Sequence, residues 1–393
     1  MSLDLFFDID DNQNPEVPIG VLPDSELKKE ILDEFEKLSN MSVPEYTLFN
    51  KWLEIKNLKW SIKEKERIYE IKKLIWAPND LDDFEKIQPK VVWANNKKDN
   101  LDWLILRTFT STMPWRQNVG RCLRFYVIDE ITGKYLGVYS IASDFISLKG
   151  RDIYIGWSSD NRTKDRMLGY TAMGSTIVPT QPLGFNYVGG KLISLIVCSD
   201  FTEQVWNEMY PHNKLVGITT TSLYGGGSQY DRLVNWKKLK STEGKIALEP
   251  TDRVITLVRK WIKHHYPDKY EEFYKNKTKI ISRPKTKLLT FVYQKLGIKT
   301  ITNNAPRGVY WCSLFENTEL FLRKEVEWNG LGERKFDNRL EVLVNIWKNK
   351  YAKKRIANII KNNRFNPEHL FYDDIMGMSW EETREKYLPD IGR

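Results

Sequence analysis

The chain has 393 residues, 41% of them hydrophobic, which is enough for two or three domains with packed cores. No stretch reaches the roughly 18 consecutive apolar residues that cross a bilayer, and the opening MSLDLFFDIDDNQ lacks the basic flank and apolar run of a signal peptide. A cytoplasmic protein without a membrane partner is therefore expected, while three scattered cysteines (Cys122, Cys198, Cys312) and four histidines give neither a disulfide framework nor a metal-ligand spacing.

The formal net charge of +9 is unevenly spread: residues 1–50 hold three lysines against twelve carboxylates, a net of −9, which leaves +18 for the rest. An acidic head precedes a basic body. Basic surface attracts phosphate backbones, so nucleic acid, with DNA favoured, is the expected partner, and the acidic head is a candidate contact for a partner protein. The 13% of Phe, Trp and Tyr adds rings that stack on bases or fill cores.

Three regions are expected. The first, 1–90, opens with a polar segment bearing Pro15 and Pro18 and then turns helical. Leu27, Ile31, Leu32, Phe35 and Leu38 form a helical stripe, and Ser61 with Glu64 is a capping box opening a helix that ends before Pro78. In the second region, 91–245, RCLRFYVID (121–129) and KYLGVYSIA (134–142) flank EITG, a hairpin turning at Gly133. IYIGW (153–157) and STIVP (175–179) read as strands, KLISLIVC (191–198) as a buried helix continued by 199–210, and LVGITTTSL (215–223) as a β-branched strand. The third region, 246–393, is helical and basic: Val254, Leu257, Val258, Trp261 and Ile262 make one stripe, and residues 331–364 carry ten Lys or Arg against Glu333, Asp337 and Glu341.

The segment 177–245 runs strand, glycine loop, apolar helix, strand, glycine-rich loop. Backbone N–H groups at a helix start favour an anion, so Gln181, Gly184, Gly189, Gly190 and Lys191 are the expected cofactor cradle. Leu192 stands where a Walker motif has Ser or Thr, which excludes that motif. Arg151, Arg162, Lys164 and Arg166 surround Trp157 in sequence, a mixture suited to phosphate and base contact.

In IGW (155–157), VPTQPLGFNYVGGKL (178–192), LVGITTTSLYG (215–225) and the 230–244 run with NWKKL, the chain resembles the DruA-like family of Druantia anti-phage components and its phage-encoded relatives. The same order looks like the later half of the GNAT acyltransferase fold, to which the phage DNA-modifying Mom proteins are similar. That resemblance implies an α/β (α+β) fold: a GNAT-like mixed sheet core flanked by an N-terminal helical region and a basic C-terminal helical region. It makes 177–181 the fourth strand, 181–191 the pyrophosphate loop and 215–223 the fifth strand, with acyl-coenzyme A or a related anionic donor as the cofactor class. Against the GNAT pattern Q/R-x-x-G-x-G/A, the chain keeps Gln181 and Gly184 but has Asn186 at the second small position. Tyr230, after the fifth strand, then stands where an acid is often found, with Asp231 as the nearest base. Two readings stay open: a GNAT-like transferase acting on nucleic acid, such as a phage base-modifying enzyme in the host cytoplasm, or a non-catalytic nucleic-acid-binding component of a phage or anti-phage assembly.

Overall fold

The computed structural model describes residues 20–113, 118, 120–180, 187–222, 228–239, 245–248, 250–274, 284–299, 302–304, 307–363 and 372–391. Its helices, in chain order, are α1 (Asp24–Ser39), α2 (Val43–Asn57), α3 (Ile62–Lys73), α4 (Asp83–Lys86), α5 (Lys97–Thr110), α6 (Lys149–Ile155), α7 (Ser159–Thr163), α8 (Gly190–Ile196), α9 (Asp200–Met209), α10 (Asp252–His265), α11 (Pro267–Tyr274), α12 (Pro284–Leu296), α13 (Thr318–Leu322), α14 (Leu340–Ile346), α15 (Lys353–Lys361) and α16 (Trp380–Ile391). The strands are β1 (Pro89–Trp93), β2 (Cys122–Asp129), β3 (Tyr135–Ser143), β4 (Thr171–Pro179), β5 (Gly217–Thr221), β6 (Lys237–Lys238), β7 (Lys245–Ala247), β8 (Thr302–Asn304) and β9 (Val309–Ser313).

The chain divides into two units, each discontinuous in sequence: Pro44–Gly244 with Ala305–Arg393, and Met1–Val43 with Lys245–Asn304. The expected boundary at 90/91 falls inside the first of these, and the one at 245/246 falls beside a junction between them.

The larger unit is built on a mixed sheet in the order β1-β2-β3-β4-β5-β9-β6. Every neighbouring pair is antiparallel except β4 and β5, which pair in parallel only from Thr171↔Gly217 to Met173↔Thr219. Beyond those residues β4 continues along β3 as far as Pro179, and β5 continues along β9 as far as Thr221. The hairpin of β2 and β3 turns at Gly133, whose φ of 68° is left-handed and free of penalty only for glycine. Period-two alternation splits β2 between two cores. Phe125 and Val127 pack with α8, α9 and α14 on one face, whereas Tyr126 and Ile128 pack with α2, α3, α5 and α16 on the other. Helices on both faces of a mixed sheet make this the α/β class expected from the sequence. α8 is enclosed on all sides: Leu192, Ile193, Ser194, Leu195 and Ile196 are each 0% exposed. α8 lies so close to the sheet that a Cβ on Gly137 would meet the Ile193 side chain at 2.4 Å.

One expected strand is a helix. IYIGW has β-type composition, but its first three residues end α6, and Gly156 closes that helix in the left-handed conformation with φ 76°. Asp152 fixes the turn by accepting from the Leu148 N–H at 2.9 Å. These local hydrogen bonds outweigh a three-residue β preference.

The smaller unit joins α1 to α10, α11, α12 and the β7–β8 pair. Four residues of the stripe read from the sequence, Leu27, Ile31, Phe35 and Leu38, lie in its core, whereas Leu32 is 38% exposed. Acidic side chains of α1 meet α10: Glu30 bonds Arg253 at 2.8 Å, Glu34 accepts from both the N–H and the hydroxyl of Thr251 at 2.6 Å, and Asp24 accepts from the Trp261 indole at 2.8 Å. One of these contacts, Glu30 with Arg253, pairs opposite charges, while Glu34 holds the start of α10 and Asp24 satisfies the buried Trp261 indole.

Candidate functional site

The start of α8 gathers residues from four parts of the larger unit. Gln181 and Gly184 of the expected cradle lie outside the described residues. Gly189 has φ 73°, and a Cβ on it would come within 3.6 Å of Arg355 on α15. Gly190 is required by contact, because a Cβ there would overlap Gln229, 1.8 Å from its Oε1. The amide nitrogen of Gln229 donates to the Ile177 carbonyl at 2.8 Å. Ile177 lies on the part of β4 that β5 no longer pairs, so Gln229 stands between the diverging strands.

Lys191 turns inward from the same place. Its ammonium donates to the Asp231 carbonyl at 2.6 Å and the Gln229 carbonyl at 3.4 Å, and it lies 5.1 Å from the centre of the Tyr351 ring. Tyr351 belongs to a π-helical segment, Trp347–Ala352, between α14 and α15, and its hydroxyl donates to the Arg232 carbonyl at 2.5 Å. Burial lowers the Lys191 pKa below the ordinary lysine value; Asp231 opposes this, while the positive charges of Arg232 and Lys350 reinforce it. Arg232 is exposed in the left-handed region with φ 64°.

The expected acid–base pair separates. Tyr230 is buried against Trp236 and Tyr310, hydrogen-bonded to Thr220, with its pKa raised by burial. Asp231 finds a different phenol: Tyr310 of β9 donates to its Oδ1 at 2.7 Å. The Ser228 N–H donates to the other oxygen at 2.9 Å, and the Lys238 ammonium stands 3.8 Å away. Partial burial works against this carboxylate, but Tyr310, Ser228, Lys238 and Lys191 outweigh it and hold Asp231 below the usual range. Burial and the facing carboxylate push Tyr310 up to about 12. The arrangement therefore keeps Asp231 ionised and Tyr310 protonated near neutrality.

The arginine and tryptophan group around residue 157 is mostly internal. Arg151 is 0% exposed, paired at 2.8 Å with Asp144 and at 2.8 Å with Asp152. Trp157 is buried and donates to Asp152 at 3.0 Å, and Arg162 joins the same carboxylate at 3.0 Å. These three side chains hold the loops around α6 rather than present a surface. Lys164, exposed and paired with Asp160 at 2.9 Å, and Arg166, exposed with φ 59°, face solvent.

Sequence reasoning missed Gln229, Arg232, Lys238, Tyr310, Lys350, Tyr351 and Arg355. NWKKL supplied a local hint of Lys238. Tyr310 and Arg355 are placed by β9 and α15, far along the chain, and no local signal points to them.

A family model described as "Druantia protein DruA" matches residues 45–324. The chain belongs to the DruA family. A curated DruA protein of Escherichia coli (strain UMEA 4076-1), described in the same words, is 31% identical over 160 residues. That similarity covers 38% of this chain and 39% of the relative, so it spans about two-fifths of each. No solved structure matches. The DruA family model takes in β1 to β9 and α8, and so includes Lys191, Asp231, Lys238 and Tyr310 but not the π-helical segment or α15.

Proposed function

We propose that this DruA-family chain is a nucleic-acid-binding component of a Druantia-type anti-phage assembly, contacting phosphates through the cationic rim at the start of α8. One observation carries the reading. Lys191 and Lys238 act on the Asp231 carboxylate, and Arg232 and Lys350 stand close enough to Lys191 to lower its pKa, so α8, the 228–238 turn and edge strand, and the π-helical segment bring four cations together around Asp231. Cations collected from separate elements around one acid leave a positive surface, and phosphate is its natural counter-ion. Exposed Lys164 and Arg166 are secondary contacts in this reading. The experiment is charge reversal with anisotropy of labelled DNA: Arg232→Glu with Lys238→Glu should weaken binding at least about tenfold, since two phosphate contacts are lost. Lys98→Glu, after the opposite edge strand β1, is the control. Equal affinity for rim and control variants would overturn the proposal.

A second reading, a GNAT-like transferase, draws support from the parallel pair β4–β5 of the sheet, whose strands part beyond Met173 and Thr219 as a donor-holding wedge requires. In this reading Gln181 to Lys191 binds the anionic donor, and Asp231 with a neighbouring phenol moves the proton. Gln229 lies in that wedge and has to leave it for a donor to enter. Calorimetry with coenzyme A on the wild-type chain and on Gln229→Ala tests it, together with mass spectrometry of nucleosides from cells with and without the protein. Coenzyme A binding or a new nucleoside favours the transferase.

A further inference from the structure

Beside the cationic rim, the sheet edge carries a second kind of surface. β6 is an edge strand made of two exposed lysines, and successive side chains of a strand point to opposite faces. Lys238 faces Asp231. The Lys237 ammonium instead lies 4.3 Å over the ring of Tyr154 on α6 and 3.3 Å from its hydroxyl. Tyr154 is partly exposed, its neighbour Ile153 is 67% exposed, and Ile146, in the loop that enters α6, is 72% exposed. Ile146 and Ile153 are among the most exposed large apolar side chains of the described residues, and Ile153 adjoins Tyr154 in α6.

Duplex nucleic acid offers phosphates to a basic strip but keeps its base faces stacked inside. A strip that passes from lysines to a ring and two branched aliphatic side chains matches a strand whose phosphates and bases are both available. We propose that Tyr154, Ile153 and Ile146 form a ledge for unstacked bases of a single-stranded nucleic acid whose phosphates lie on Lys237, Lys238 and Arg232. This inference rests on the nucleic-acid reading above. In the free protein the Lys237 ammonium covers the Tyr154 ring; on a flexible stem, it moves to a phosphate as a base takes the ring face. Base stacking exceeds an exposed cation–π contact, so the exchange is favourable.

The test compares an oligothymidylate with a duplex of equal length, both labelled, on the full chain. Tyr154→Leu keeps the apolar packing beneath the ring but removes the stacking face, and Ile153→Ser alters only surface. Each should weaken oligothymidylate binding at least about fivefold while changing duplex binding by less than about twofold. Arg232→Glu with Lys238→Glu should weaken both. Unchanged oligothymidylate affinity in Tyr154→Leu and Ile153→Ser, or equal losses on both probes, overturns the ledge and leaves the rim standing. A gain in monomer content for Ile153→Ser with unchanged oligothymidylate affinity also overturns it, in favour of a protein contact. If the wild-type chain binds neither probe, the nucleic-acid reading falls and the ledge falls with it.

Discussion

The Lys191 ammonium is bonded to the main-chain carbonyl of Asp231 at 2.6 Å, and so ties the first turn of α8 to the turn that carries Arg232. A hydrogen bond from a charged donor contributes about 1.5 to 3 kcal/mol. Lys191→Met should therefore lower unfolding free energy by about 1 to 3 kcal/mol and, by loosening Arg232, weaken nucleic-acid binding. Lys191→Arg should retain more of both. Denaturant melts check the first effect, and a melt unchanged in Lys191→Met would show that the tie contributes nothing.

A second prediction concerns the buried group of Lys51, Glu54 and Arg107. Lys51 is 0% exposed and bonds Glu54 at 2.8 Å, while Arg107 takes the other oxygen of that carboxylate at 2.5 Å. Burial pushes Lys51 down to about 8; Glu54 opposes the shift and Arg107 adds to it. In the unfolded chain a lysine holds its proton to about 10.4, so between about pH 8 and about pH 10 the unfolded state binds more protons. Stability should thus rise with pH across that window, by about 2 to 3 kcal/mol from this group. Lys51→Met should lack the rise and be more stable than wild type near neutrality. Parallel pH profiles for wild type and Lys51→Met would contradict this.

The acidic N-terminal sequence is structural in the smaller unit, where Phe35 is 0% exposed and meets Tyr293 edge-on at 5.7 Å. Phe35→Ala should cost about 3 to 5 kcal/mol. Removal of residues 1–43 should expose the apolar face of α10 and abolish cooperative unfolding of that unit, readable as increased dye binding and lost amide protection. A truncated chain with native protection in α10 would show that the unit does not need α1.

At Gly217 a Cβ would lie 2.3 Å from the Trp311 ring and 3.2 Å from the Cys312 carbonyl. Trp311 has no room to yield, since its indole is tied to Ser313 and Glu319 at 2.9 Å each. Gly217→Ala should destabilise by about 1 to 3 kcal/mol through overpacking, and Gly217→Asp should prevent soluble folding by adding an unpaired buried carboxylate. Soluble Gly217→Asp with an unshifted melt would refute the close packing of β5 on β9.

Local rules carried much of the fold. Ser61 and Glu64 form the capping box, and Gly133 turns the hairpin. The apolar run after Gly190 is the buried helix read from the sequence, with Leu192 to Ile196 enclosed on all sides. α6 was misleading because three β-formers precede a glycine that caps a helix, and such caps depend on backbone conformation rather than composition. At the site, Lys191 and Asp231 were legible as candidates, whereas the Asp231–Tyr310 bond joins residues 79 apart and the Arg355 approach to Gly189 depends on how α15 docks. The union of 1–43 with 245–304 had a signal in charge: three lysines against eleven carboxylates in the first segment, fourteen Lys or Arg against five in the second. Charge totals give complementarity but not which helix faces meet.

The most direct measurement of the central claim is the salt dependence of duplex DNA binding in the wild type and in Arg232→Gln with Lys238→Gln. Each phosphate contact contributes about 0.9 to the slope of log K against log salt for duplex DNA. A phosphate-binding rim gives a steep wild-type slope that falls by about 1 to 2 in the double variant, with both proteins equally folded. A wild-type affinity independent of salt, or an identical slope in the two proteins, would contradict a phosphate-binding rim at the start of α8.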